Sequence, residues 1–473
     1  MIVVGAMIGS GIFIVTSDIA RNVGSGGHIL LVWLITGVIT VIGALSYGEL
    51  AGMMPMAGGQ YVYLREAYNP LLGFLYGWTL FLVIQSGSVA AVAMAFAKFT
   101  AVLIPWLGEG NVLVRIGTLE ISAAQLLAIT SIALLTSINL MGVRFGKIVQ
   151  NVFTSAKTLA LLGLIVLGII VGIGAEGLAE RFAGFWSPSR AEVENGLVSV
   201  VPLSGLMLLA AYGTAMVGSL FACDAWNNVT FAAGEVKSPR RTIVLALGLG
   251  TGIVTVLYLC ANLAYVMLLP VAGDPSASAV AGQGIQFAAN DRVGTAAAFM
   301  IFGQPAEIIM AAMIMVSTFG CNNGLILAGA RVYYAMALDS LFFRRVGTLN
   351  RKGVPGAALA AQGIWSCLLC LSGTYGDLLD YVIFAVLLFY MLTIIGIFIL
   401  RAKRPDAERP YRAFGYPVLP AAYVLVASAI LVDLLILKPL YTWPGLGIVI
   451  LGIPVYFLWR RFSPPVSGEV PPS

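Results

Sequence analysis

Two short stretches hold residue types that can bind a small charged solute. The first reads Gly5-Ala6-Met7-Ile8-Gly9-Ser10-Gly11-Ile12-Phe13. Glycine inside a helix costs about 1 kcal/mol relative to alanine, so Gly9-Ser10-Gly11 marks a candidate interruption. The second reads Ser219-Leu220-Phe221-Ala222-Cys223-Asp224-Ala225-Trp226-Asn227-Asn228 and sets a carboxylate and two amides in an apolar run. An interrupted helix exposes N–H groups where its second half begins, at the positive end of that half's dipole. Ser10, Gly11 and Ile12 can offer such groups to a carboxylate. The first halves end in free carbonyls, so Ile8, Phe221, Ala222 and Asp224 can accept from an ammonium. A site of this kind reads a zwitterion, which is an α-amino acid. Gly9 and Gly11 also let a ligand approach the backbone closely. For the first stretch taken alone, close helix packing through small residues explains the glycines equally well.

A third candidate is Lys157, surrounded by Phe153, Ala156, Leu159 and Leu161. An ammonium in such a setting pairs with carbonyls or acids, or else snorkels to an interface.

The elements that must hold these residues follow from composition. The 473 residues are 60% hydrophobic and 10% charged, with mean hydropathy +0.96. Soluble domains carry about 25% charged residues, so the chain reads as a polytopic membrane protein. That excludes most enzyme templates, nucleic-acid binders and disordered scaffolds. A bilayer core takes about 20 apolar residues per helix. Twelve spans are expected, numbered here in chain order: 1–21, 28–54, 70–105, 122–141, 147–174, 203–232, 239–269, 302–335, 354–374, 377–401, 415–437 and 444–460. Within this frame both interruptions fall in spans. A break there is tolerated only where it lines a cavity or is buried in protein, and Asp224 in span 6 costs roughly 2.5–3.5 kcal/mol on insertion scales. Spans 1 and 6 lie five apart, the arrangement that points to an inverted-repeat transporter.

Basic residues orient the set. Of 26 Lys and Arg, 17 fall in loops on one side, 6 on the other and 3 within spans (Lys98, Lys157 and Arg331). The excess marks the cytoplasmic side and places both termini there. The net charge of +5 calls for no acidic partner. Outer segments 175–201 and 270–300 read as loops with short helices. Glu49 ends span 2, pairs with a loop base or contacts substrate; Lys98 and Glu307 are expected near interfaces.

All five cysteines, Cys223, Cys260, Cys321, Cys367 and Cys370, lie in apolar stretches, so no extracellular disulfide is expected. Cys367-x-x-Cys370 reads as helix packing rather than a redox motif. His28 is the single histidine, which argues against a metal site or a His-based triad. No cofactor is implied, and no span presents a nucleophile, base and oxyanion set. Met1 leads directly into apolar sequence, so no cleavable signal peptide is expected.

Four segments resemble the amino acid–polyamine–organocation superfamily. Gly5 to Phe13 (GAMIGSGIF) is similar to its first-helix signature. Leu220 to Glu235 (LFACDAWNNVTFAAGE), continuing to Pro239 and Arg240, is similar to its sixth helix and the following loop. Gln150 to Leu159 (QNVFTSAKTL) resembles helix 5 of the L-type amino acid transporter branch, and Leu400 to Pro420 (LRAKRPDAERPYRAFGYPVLP) resembles the loop between helices 10 and 11. The similarity covers essentially the whole chain and points to bacterial members of that branch.

The resemblance implies an all-α fold of twelve transmembrane helices, a 5+5 inverted repeat of the LeuT type with helices 1 and 6 broken. Residues 1–174 would form the first repeat and 175–401 the second. Residues 402–473 would add helices 11 and 12 and a cytoplasmic C-terminus. It implies sodium-independent transport by alternating access: exchange of small neutral L-amino acids of the alanine, serine and cysteine class, or alternatively proton-coupled symport or acceptance of cationic amino acids and polyamines. A membrane sensor or channel is the remaining class.

By the same resemblance Ser10, Gly11 and Ile12 match the carboxylate-binding segment, and Ile8, Phe221, Ala222 and Asp224 the amine-binding carbonyls. Phe221 also matches an aromatic gate over the substrate, against a plain packing role. Asn227 matches a polar position near the amine, against a helix–helix hydrogen bond. The Asp224 side chain either contacts substrate or pairs with another helix. Ala225 stands where glycine is more usual. Lys157 would fill the second sodium site of sodium-coupled relatives, linking span 1 near Gly5 to span 8 near Ser317; alternatively it carries a transported proton. The outer segment 106–121 has no cysteine, so no disulfide-linked heavy-chain subunit is expected. The chain starts eight residues before Gly9, less than family members usually have; either the native start lies upstream or the inner gate is short.

Overall fold

Local chemistry sets the helix boundaries in the computed structural model, which describes residues 1–116, 119–175, 177–194, 197–372, 375–437 and 439–462. Span 3 starts where the Asn69 side chain accepts from the Leu72 N–H, with Pro70 at the first helical position. Span 4 starts at a reciprocal capping box between Ser122 and Gln125. Span 7 starts at Pro239. The outer half of span 1 stops at Gly24, whose φ of 60° suits glycine.

Among the described residues ten helices are long and apolar enough to cross a membrane. They are Gly26–Met53, Pro70–Leu103, Ala123–Leu140, Val143–Ile173, Gly205–Ala222, Pro239–Leu268, Ala306–Leu338, Val382–Lys403, Val418–Leu437 and Thr442–Arg461, corresponding to spans 2 to 8 and 10 to 12. The other two spans are the interrupted span 1 and the shorter Gly356–Cys370. The chain is an integral membrane protein.

Burial separates the spans into an inner and an outer set. The apolar window of span 3 is 83% buried and that of span 8 is 61% buried, whereas those of spans 11 and 12 are 33% and 28%. Spans 3, 5 and 8 pack together, span 7 runs along spans 2 and 5, and span 1 touches spans 5, 7 and 8. Many exposed side chains of the peripheral spans are large and apolar, including Leu159, Ile170, Leu249 and Ile436. That is the surface a lipid environment requires.

Span 3 contains one π-helical segment, Leu80–Ile84. Such a segment leaves carbonyls outside the regular ladder. Here the Leu80 carbonyl accepts from Tyr333 Oη at 3.4 Å and the Leu82 carbonyl from Trp365 Nε1 at 3.0 Å.

Outer segment 175–201 holds the expected short helix, Leu178–Arg181, and the outer segments add two hairpins that the sequence reading did not include. Ser189–Glu194 pairs antiparallel with Leu197–Pro202, and Val112–Ile116 pairs with Leu119–Ser122. Strands of four to six residues between hydrophobic helices give too short an alternation to read from sequence. The 270–300 segment does hold short helices, Val280–Gln283 and Ala289–Asp291, before Val293–Phe302. Lys438 and the C-terminal segment 463–473, both used in the topology reading, lie outside the described residues.

Candidate functional site

Span 1 is helical over Ile2–Met7, turns extended at Ile8 (ψ 96°), and resumes as a tight turn over Gly11–Phe13 and a helix from Val15. The last carbonyls of a helix have no intrahelical donor. Side chains from three other spans fill them. Lys157 Nζ donates to the Gly5 and Ile8 carbonyls at 2.6 Å each and to the Ser317 carbonyl at 3.3 Å. Cys321 Sγ lies 3.0 Å from the Ala6 carbonyl, and Tyr258 Oη 3.0 Å from that of Met7. Ser317 Oγ lies 3.1 Å from the Ile8 carbonyl and 3.0 Å from that of Gly9. Lys157 is buried, so its charge is met by carbonyls and not by water.

The Ile8 carbonyl thus accepts from Lys157 and shares the single Ser317 hydroxyl hydrogen with the Gly9 carbonyl. A substrate ammonium at Ile8 would take the lone pair that Ser317 shares, with the Ser317 hydroxyl turned to Gly9. On the donor side, the first N–H groups of the Gly11–Phe13 turn have no carbonyl in a preceding turn. Gly11 itself is pressed against span 6: a Cβ there would lie 2.7 Å from Ala222 Cβ. A Cβ at Gly9 would meet only Cys321 Sγ, at 3.7 Å.

Span 6 is helical over Gly205–Ala222 and resumes for one turn at Asn228–Phe231. Between them Ala225 takes φ 66°, a left-handed conformation that costs an L-residue with a Cβ roughly 1–2 kcal/mol. The Phe221 carbonyl accepts from the Asp224 N–H at 3.0 Å. The Ala222 carbonyl lies 3.2 Å from Tyr258 Oη, the hydroxyl that also reaches Met7. One tyrosine on span 7 therefore touches both interruptions. Asp224 Oδ1 accepts from Tyr390 on span 10 at 2.6 Å. Asn227 Nδ2 donates to Gln60 Oε1 at 2.9 Å, and Gln60 in turn donates to Thr393 Oγ1 at 3.0 Å. Phe221 is half-buried at the end of the first half-helix.

Two cavities meet at Asp224. One lies toward spans 3 and 8 and is lined by polar groups including Gln60, Tyr76, Gln85, Ser88, Asn227 and Asn228. The other lies toward spans 2 and 11 and is mainly apolar, with Ile39, Leu220, Ile383, Leu387 and Tyr423 among its walls.

The site thus rests on two helix breaks whose polar backbone faces protein. A model of the amino acid permease family matches residues 1–458. The chain belongs to that family. Its relatives include the b(0,+)-type amino acid transporter 1 of Mus musculus, 29% identical over 480 residues, covering 99% of this chain and 90% of the relative. The large neutral amino acids transporter small subunit 2 of Homo sapiens is 32% identical over 459 residues, covering 97% of this chain and 78% of the relative. The chain is a transporter and not an enzyme.

The same permease carries a buried charge cluster away from the breaks. Glu49, at the end of span 2, accepts from Arg401 at 2.9 and 2.7 Å and from the Ala413 N–H at 2.7 Å, with Arg409 Nε at 3.4 Å. Glu49 is fully buried and pairs with Arg401 in the last turn of span 10 and with Arg409 of the loop after it. Arg331, in span 8, makes a two-pronged pair with Glu235 at 2.9 and 3.0 Å. Arg65 pairs with Asp339 and Glu66. Lys98 is half-buried in span 3, and Glu307 is exposed at the start of span 8, 3.8 Å from Arg292.

Sequence reasoning missed Tyr258, Tyr390, Gln60 and Cys321. The available signal was a polar group inside an apolar span; tyrosine and cysteine carry it weakly, because each also packs as a mainly apolar body, and Gln60 lies in the short helix Gln60–Ala67 between the expected spans 2 and 3.

Proposed function

We propose that this permease is a sodium-independent exchanger of small neutral L-amino acids, of the alanine, serine and cysteine class, working by alternating access. The observation that carries the reading is the Lys157 ammonium held by the carbonyls of Gly5, Ile8 and Ser317. Those oxygens join span 1 to span 8, and a fixed positive charge among them repels a sodium ion. Lys157, Gly5 and Ser317 are then gating residues. The amine end of the substrate uses the span 6 carbonyls of Phe221, Ala222 and Asp224 together with Ile8. The carboxylate uses the N–H groups of Ser10, Gly11 and Ile12. Asn227 orients the amine side through Gln60, and Phe221 closes over the ligand. The contact between Gly11 and Ala222 leaves little room at the breaks, which favours short side chains.

Residues 1–174 and 175–401 are read as the two inverted repeats, with 402–473 appended. The basic bias supports cytoplasmic termini, and the bacterial resemblance supports the inner membrane. The cysteine-free outer segment 106–121 supports a chain that works without a disulfide-linked heavy subunit.

The test is counterflow with purified protein in liposomes. Internal alanine, serine or cysteine should stimulate uptake of the labelled amino acid, equally in sodium and in choline buffer. Absence of this stimulation, or a requirement for sodium, would refute the reading. Uphill uptake into substrate-free vesicles under an imposed pH gradient would replace it with proton symport.

A further inference from the structure

Asp224, Val386 and Tyr390 line both cavities, so they form the partition between them. On one side lies the polar chamber that includes Ala225 and Asn227, at the interruption of span 6. On the other lies an apolar pocket whose lining includes Tyr423 of span 11. Tyr423 is itself tight against span 2, where a Cβ on Gly43 would lie 2.9 Å from its ring. Tyr423 gives the apolar pocket one tightly packed wall, and the shared partition stands between that pocket and the polar chamber.

Three contacts hold that partition. Tyr390 Oη donates to Asp224 Oδ1 at 2.6 Å. The Tyr390 ring lies against Trp226 at 4.9 Å between centroids and meets Tyr47 edge-on at 5.7 Å. A ring fixed by a charged hydrogen bond and two aromatic neighbours does not swing aside at little cost.

We propose that Tyr390 is a specificity-determining residue, a wall that shuts an apolar side pocket off from the chamber lined by Asp224 and Asn227 and so limits substrates to short side chains. The proposal rests on the amino acid exchange reading. With the ring removed the chambers join, and the pocket together with the space the ring vacates takes an unbranched aliphatic side chain of four carbons. Each methylene placed in an apolar pocket changes selection by roughly tenfold or more.

The experiment is competition by alanine, norvaline and norleucine against labelled alanine exchange in proteoliposomes. Wild type should select alanine over norleucine. Tyr390→Ala should raise the competition by norleucine relative to alanine by about tenfold or more. Val386→Ala thins the same partition without touching the Tyr390 hydrogen bond and should shift the ratio the same way by a smaller factor. Adding Leu387→Phe to Tyr390→Ala refills the apolar pocket and should restore the wild-type ratio. Ligand-induced thermal shifts in detergent give the same ratio for any variant that binds but does not turn over. Wild-type exchange with an unchanged norleucine-to-alanine ratio in both wall variants overturns the wall. So does a shifted ratio that Leu387→Phe leaves in place, since the extra room would then lie elsewhere. A wild type that exchanges no amino acid is the separate result that overturns the exchange reading beneath it.

Discussion

Lys157 Nζ donates to the Ile8 carbonyl across 2.6 Å, at the residue where the first half of span 1 stops being helical. The same ammonium reaches Gly5 and Ser317, so one charge ties spans 1, 5 and 8. Hydrogen bonds from a charged donor contribute about 1.5–3 kcal/mol each, enough to set which conformation of the first half-helix is populated.

Removing the amine should therefore act on turnover more than on binding. Lys157→Ala is expected to lower the exchange rate by about tenfold or more, the equivalent of about 1.4 kcal/mol, while the substrate Kd shifts far less. Counterflow rates set beside thermal-shift titrations check this; equal losses in both would argue against gating.

The two glycines of the span 1 break should behave differently. Gly9→Ala places its methyl 3.7 Å from Cys321 Sγ, an ordinary contact, and should leave exchange nearly unchanged. Gly11→Ala drives a methyl to 2.7 Å from Ala222 Cβ and should abolish most uptake. Ala222→Gly in the same chain should return part of the loss if packing is the cause, and none if the methyl blocks the carboxylate. A double-mutant cycle on uptake separates the two.

Ala225 holds a left-handed conformation. Ala225→Gly removes the Cβ penalty and should not lower thermal stability in detergent. Ala225→Val puts a β-branched side chain where it is an outlier and should lower the stability by at least about 1–2 kcal/mol.

Glu49 is buried against Arg401 and Arg409. Breaking a buried pair by removing one partner costs about 3–5 kcal/mol, because the remaining charge is left uncompensated. Glu49→Gln should destabilise by that order, read as a large drop in melting temperature. A matched Arg401→Met in the same chain should recover only part of it, since Arg409 stays charged.

The fold was largely readable because a bilayer imposes span length and backbone satisfaction on every segment that crosses it. The glycines at 9 and 11 and the acid at 224 marked the two interruptions, and the structure breaks both helices there. The short outer hairpins were not readable, since each strand is stabilised by its partner and the underlying helices rather than by its own pattern. In the site, the intramembrane position of Lys157 was visible, whereas Tyr258 and Tyr390 looked like ordinary span residues.

The sequence by itself determined membrane residence, the number of spans, the two interruptions and an ammonium that had to find oxygen partners. The tertiary structure alone decided which groups meet. Tyr258 lies 251 residues from Met7 and Tyr390 lies 166 residues from Asp224, yet each pair is hydrogen bonded. Such pairings depend on how each helix is rotated about its axis. A span that is apolar on every face carries no stripe to fix that rotation. It is fixed by close packing between spans, where Gly11 meets Ala222 and Gly43 meets Tyr423, and by the need to satisfy each polar group left inside the bundle.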